Sequence, residues 1–181
     1  MNPHDELNAL TGLFADSESL IGMAEHVTAP LMPDSYRSML AHDHHMTVTM
    51  EKHYDSPVEV KIIEQVDRGD LYCRKIVLLK AGTDRVVQFG IVRFNFEYVT
   101  EAVRSEIIAG ETPLGRVLIN HNVLRHIDLG ALLRVTAGEE LAGLLQMPVG
   151  AETYGRLATI FCNQRPAVDL LEIPAPLEMG G

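Results

Sequence analysis

From residue 5 to residue 28 the apolar positions recur three or four apart: Leu7, Leu10, Leu13 and Phe14, then Leu20, Ile21 and Ala24. That spacing lies on one face of a helix and predicts a helical lead-in. Pro30 and Pro33 interrupt it, and a short helix around Ser35 to Leu40 is expected next. The period then changes to two. Met46, Val48 and Met50 alternate with Thr47 and Thr49, the pattern of a half-buried strand. Asp55-Ser56-Pro57 marks a turn, and Val58, Val60 and Ile62 begin a second strand. Asp67-Arg68-Gly69-Asp70 turns the chain again. Strands over 71–80 and 85–94 are joined by Ala81-Gly82-Thr83-Asp84, a hairpin loop.

Residues 98–109 read as helical, and Thr112-Pro113-Leu114-Gly115 opens a short segment whose type the pattern leaves open. Val123 to Leu129 is a strand candidate. Thr136 is placed to cap a helix reaching Gln146, with Glu139 in the capping-box position. Strands over 154–162 and 167–173 close the chain through Asn163-Gln164-Arg165-Pro166. Strands joined by short turns pair antiparallel. Helices before and between the hairpins, rather than after every strand, give an α+β class. The expected fold is one antiparallel sheet of about six strands with flanking helices around an internal ligand pocket. It forms a single domain over 1–181: a helical lead-in at 1–40, a sheet core at 41–174 and a flexible Pro/Gly-rich tail at 175–181.

Composition narrows the function. The 181 residues suffice for one sizeable core. A net charge of −10 opposes a phosphate-tracking nucleic-acid binder, which needs a basic stripe. It leaves an anionic small molecule open, because one arginine sets the local potential inside a pocket. No apolar run approaches the ~18 residues of a membrane helix, and the N-terminus lacks the features of a signal peptide. Cys73 and Cys162 read as apolar fillers in a reducing compartment, with one disulfide as the alternative. A cytoplasmic chain is expected, without nucleic-acid or membrane partners, as a monomer with a homodimer as the alternative.

Alternation also locates two charges. Arg74 shares a strand face with Tyr72, Ile76 and Leu78. An arginine on an apolar face needs a carboxylate or an anionic ligand, and its forked guanidinium suits a bidentate carboxylate. The other readings are an arginine that snorkels to water or one held in an internal salt bridge. Glu172 shares a face with Val168 and Leu170. Apolar surroundings raise a carboxyl pKa and fit it for general acid chemistry. Otherwise Glu172 is the salt-bridge partner of Arg74, or sits at a strand end. The cluster His42, His44 and His45, with His53 further on, invites a metal reading. No H-E-x-x-H or C-x-x-C spacing supports it, so no metal is expected. A nucleophile elbow, a P-loop and a G-x-G-x-x-G are all lacking.

These residues resemble the chorismate pyruvate-lyases (4-hydroxybenzoate synthases). The stretch from Leu71 to Leu79 looks like that family's arginine strand, and Gly110-Glu111-Thr112-Pro113-Leu114-Gly115-Arg116 is similar to its G-x-T-P-L-G-R segment. His44-His45-Met46-Thr47 resembles the segment supplying a substrate-contacting methionine. Asn163-Gln164-Arg165-Pro166 followed by Glu172 resembles the closing hairpin with the catalytic glutamate. The likeness covers about residues 38–174. It implies a six-stranded antiparallel sheet with the ligand enclosed under helical flaps. It implies a carbon–oxygen lyase that releases pyruvate from chorismate without a cofactor. Arg74 would anchor a carboxylate and Glu172 would be the general acid/base. Met46, Gly90 and Leu114 would line the substrate site. Ile91 stands where the family often has a basic residue after the pocket glycine. Two alternatives are an enzyme of this fold acting on another small anionic ring, and a non-catalytic small-carboxylate-binding module. A related fold serves as the effector domain of some bacterial regulators, but those carry a helix-turn-helix domain, and the roughly 40 non-basic residues before the sheet argue against that version.

Overall fold

The computed structural model describes residues 2–178. Seven strands form one antiparallel sheet: β1 (Ile21–Val27), β2 (Val58–Arg68), β3 (Leu71–Lys80), β4 (Val86–Asn95), β5 (Arg125–Ala137), β6 (Glu152–Cys162) and β7 (Arg165–Pro174). Their order across the sheet is β1-β5-β6-β7-β4-β3-β2. The hairpins β2–β3, β3–β4 and β6–β7 are the expected local pairings, and β5 pairs with β6 across the α6 connection. The non-local contact of β7 with β4 joins the two halves.

Six helices flank the sheet: α1 (Pro3–Thr11), α2 (Asp34–Leu40), α3 (Met46–Tyr54), α4 (Glu101–Ala109), α5 (Leu114–Asn120) and α6 (Glu139–Leu145). On one face, α1 and α6 cover Cys73, Val77, Phe89, Ile91, Leu157 and Leu171. On the other face there are two apolar clusters. One sets Val103, Ile107, Val117 and Leu118 of α4 and α5 against Tyr72, Phe94 and Ile160. The other sets Met39, Leu40, Met46 and Met50 of α2 and α3 against Ile76, Leu78 and Val87. Cys73 and Cys162 are buried and free, and belong to clusters on opposite faces, so the disulfide alternative is closed.

Three expectations about elements are corrected. The helical lead-in stops at Thr11, and Ile21–Val27 is an edge strand of the seven-stranded sheet. The burial of this edge strand repeats every third residue, at Ile21, Ala24 and Val27, which mimics a helix, and its register shifts between Ile21 and Met23. Met46–Tyr54 is a helix rather than a strand. Its buried residues are Met46, Thr47 and Met50, a helical face that the five-residue alternation conceals. Thr136 does not cap α6. It stays in β5 opposite Glu152, and Gly138 is the N-cap residue. Elsewhere, Leu114–Asn120 is helical and β5 runs well past Leu129. Of the expected loose tail, Ala175 donates to the Val87 carbonyl and Leu177 to the Tyr36 hydroxyl. Residues 179–181 lie outside the described residues.

Gly138 marks where the chain leaves β5 against its neighbour segment. Its amide donates to the Leu20 carbonyl, and a Cβ there would stand 2.3 Å from the Ser19 carbonyl oxygen. Backbone cannot yield as a flexible side chain can. Gly138→Ala should therefore lower stability by about 2–4 kcal/mol in chemical denaturation. A change below about 0.5 kcal/mol would mean that this junction is slack.

Candidate functional site

The second face of the sheet carries a small cavity between its two apolar clusters. Strands β3, β4 and β7 supply Arg74, Ile76, Gln88, Gly90, Leu170 and Glu172. The start of α3 supplies His45, Met46 and Thr47, and the start of α5 supplies Leu114 and Gly115, which together form a cap. Thus Arg74, Met46, Gly90, Leu114 and Glu172 all border one space. The register explains how. Ile76 is paired with Gly90, and Gly90 with Glu172. Arg74 is two residues from Ile76 and so lies on the same face. Two strand spacings and two residues of rise put the Cα atoms of Arg74 and Glu172 about 12 Å apart. Gly90 forms the floor between them. The cap helices meet at Gly115, where a Cβ would stand 3.0 Å from Thr47 Oγ1 and 3.1 Å from His45 Cβ.

Arg74 is 1% exposed. One of its terminal nitrogens donates to the Ile107 carbonyl at 3.1 Å, and its Nε has no partner. Among the described residues it has no carboxylate partner. Burial holds its pKa below the usual arginine value, yet a guanidinium stays charged at neutral pH. Its neighbour Lys75 points to the opposite face and is satisfied there by Glu140 at 2.6 Å and Glu64 at 3.5 Å. Two adjacent buried cations thus differ in kind: one is neutralised within the protein, and the other faces a cavity with its charge uncompensated.

Glu172 does not pair with Arg74. Its Oε2 lies 3.4 Å from a terminal nitrogen of Arg156, a fully buried residue of β6 directly across from it. No hydrogen bond satisfies that Oε2. Burial pushes the Glu172 carboxyl up, and the Arg156 guanidinium opposes this. Gln88 adds a buried Oε1 without a partner. An unpaired cation, an amide oxygen and a carboxyl of raised pKa around one space can bind an anion at one end and exchange a proton at the other.

His45 is the wall between this cavity and an open groove of about 680 Å³ that includes His44, Val48, Leu124, Arg125 and His126. The Arg125 Nε donates to His45 Nε2 at 2.7 Å. That nitrogen must therefore be an acceptor, which leaves a neutral ring with its proton on Nδ1. Burial and the neighbouring arginines lower the His45 pKa to about 4. The other histidines disperse. His42 Nε2 meets the Met39 carbonyl at 2.7 Å, His44 is exposed, and His53 packs edge-on against Tyr54. Among the described residues no three His, Cys, Asp or Glu side chains are grouped as a metal site.

Sequence reasoning missed Arg156, Gln88 and His45. Arg156 alternates with Tyr154, Ala158 and Ile160, so the test that singled out Arg74 applies to it equally. Gln88 and His45 carry no such signal. The position of His45 depends on α3 being a helix.

No family model matches the chain, and no curated protein matches it. Solved structures do. The effector domain of PhnF from Mycobacterium smegmatis superposes with a TM-score of 0.52 at 12% identity, over 73% of this chain and 88% of that one. The whole PhnF structure gives 0.52 at 13% identity, over 75% of this chain and 65% of that one. YydK of Bacillus subtilis, described as a possible transcriptional regulator, gives 0.51 at 17% identity, over 66% of this chain. This chain spans 58% of the length of that protein. Among the described residues no helix is long and apolar enough to cross a membrane.

The histidine sets an acid limit. A ring that titrates near 4 when folded and 6.5 when unfolded takes up its proton preferentially in the unfolded chain. Its contribution to stability is therefore complete above pH 6.5 and is lost as the pH falls through about 4. The loss should reach up to about 3 kcal/mol, and His45→Asn should flatten that part of the profile, read by denaturation at stepped pH. An unchanged slope in the variant would exclude His45 as its source. The chain has the fold of the effector domain of PhnF, built here around a cavity bordered by an arginine without a carboxylate partner and a buried glutamate of raised pKa.

Proposed function

We propose that the cavity is the site of a small ring compound bearing a carboxylate, which Arg74 binds while the opposite end of the ring faces Glu172. The observation that carries this reading is the uncompensated buried charge of Arg74. A carboxylate meeting its free Nε supplies the missing partner, and burial makes that bond strong. Gly90 and Leu114 leave a flat slot, and Met46 offers a soft, polarisable wall against a ring. The enclosed space is about 50 Å³, enough for water but small for a ring. The starts of α3 and α5 therefore move outward as the ligand enters.

The finer reading is elimination of pyruvate from chorismate. The ether C–O bond breaks with its electron pair going to the leaving enolpyruvate. The ring loses the proton from the adjacent carbon and becomes aromatic as 4-hydroxybenzoate. That proton ends on the methylene carbon of the enolpyruvate, which becomes pyruvate, so no external oxidant or reductant is needed. A carboxyl of raised pKa beside the breaking bond suits the transfer, and exclusion of water strengthens the hold of Arg74 on the carboxylate. A second reading, ligand binding without turnover, is favoured by the fold shared with a regulator effector domain.

One experiment separates the two. The purified protein is incubated with chorismate in a metal chelator, and pyruvate and 4-hydroxybenzoate are followed. The lyase reading expects both products in equal amounts. Glu172→Gln should lower kcat at least about 1000-fold while still binding 4-hydroxybenzoate. Arg74→Ala should lose binding and turnover together. Binding without product would establish the second reading. Neither product nor thermal stabilisation by these ligands would overturn both.

A further inference from the structure

Arg156 does two jobs with one guanidinium. It is fully buried in the middle of β6, with Leu132 on one side and Glu172 on the other. One terminal nitrogen donates to the His42 carbonyl at 2.9 Å. The other donates to the His44 carbonyl at 2.9 Å and lies 3.4 Å from Glu172 Oε2. The two carbonyls belong to the bend that leads into α3 and delivers His45, Met46 and Thr47 to the cavity. We infer that Arg156 is a positioning residue that couples closure of this cap to the protonation state of Glu172.

The coupling follows from how the bend orients the guanidinium: the two carbonyls fix both terminal nitrogens, and its Nε is left without a partner. With the bend closed, two carbonyls share the guanidinium, and Glu172 keeps only a long ion pair without a hydrogen bond. With the bend lifted, the guanidinium has Glu172 alone and holds it as the carboxylate. The closed bend thus leaves the carboxyl free to take up a proton where the reaction needs an acid. The charged and titratable groups facing this point are His42, Asp43, His44 and His45 on the bend, Glu172 on β7, Arg125 on β5 and Arg116 on α5. Arg74 borders the same cavity from β3. His42 and His45 are both held below the usual histidine range, chiefly by burial.

This inference rests on the proposed role of Glu172 for its catalytic consequence, but the clamp itself is tested without ligand. Amide hydrogen exchange over residues 42–49 is measured in wild type, Arg156→Met and Arg156→Lys. The Glu172 carboxyl is titrated by ¹³C NMR, its resonance assigned by its loss in Glu172→Gln. In Arg156→Met, exchange at 42–49 should rise at least about tenfold while sheet amides stay within about twofold. The Glu172 midpoint should also move to higher pH, because a neighbouring cation is lost. Lysine, a single point charge, should restore the midpoint but not the protection. If Arg156→Met fails to fold, exchange in Arg156→Lys alone decides. Unchanged exchange at 42–49, or an unmoved midpoint in Arg156→Met, overturns the coupling. With chorismate, Arg156→Met should lower kcat at least about 100-fold with KM within about fivefold. A wild type that makes no product defeats the lyase reading and leaves the clamp to stand or fall on its ligand-free readouts.

Discussion

A positive charge that the protein does not neutralise sets the terms for this fold. Arg74 stands in the middle of a sheet, almost without solvent, with a carbonyl as its polar contact. Leaving such a group unpaired costs several kcal/mol. The cost is tolerable where a ligand with the opposite charge completes the site. The architecture around it is consistent with that use. A glycine thins the floor at Gly90, helix starts supply a cap, and a carboxyl waits on a neighbouring strand.

The two faces of the sheet show the difference between structural and available charge. Lys75 is as buried as Arg74, but Glu140 and Glu64 complete it, and it packs over the Phe14 ring. On the cavity face, the one close carboxyl, Glu172, is paired with Arg156 instead. Two arginines and one glutamate border or back the cavity, so its balance is cationic whichever state Glu172 adopts. An acidic chain of net charge −10 therefore carries a locally positive cavity.

Much of this was legible in the sequence where local rules hold. The β2–β3–β4 and β6–β7 hairpins followed from period-two patterning between turn residues, and face-sharing along β3 and β7 placed Arg74 and Glu172 inward. The illegible parts are those decided by partners distant in the chain. Ile21–Val27 becomes a strand because β5 offers it an edge. Met46–Tyr54 becomes a helix because Gly115 and the sheet accept a helical face there. The true partner of Glu172 could not be found while Arg156 went unweighed, since nothing local shows which strand lies beside β7. The family resemblance brought Met46, Gly90 and Leu114 to the same site, and these three line the cavity, although Met46 reaches it from a helix rather than from the expected strand.

The central claim is that the cavity selects a carboxylate through Arg74. Its most direct measurement is a calorimetric titration of the wild-type protein with 4-hydroxybenzoate and with 4-hydroxybenzamide, repeated on Arg74→Ala. The two ligands share a ring and a hydroxyl and differ in one charge. The account predicts that the carboxylate binds at least about tenfold tighter than the amide, and that Arg74→Ala removes the difference. Equal affinities in the wild type, or a preference for the carboxylate that survives in Arg74→Ala, would contradict it.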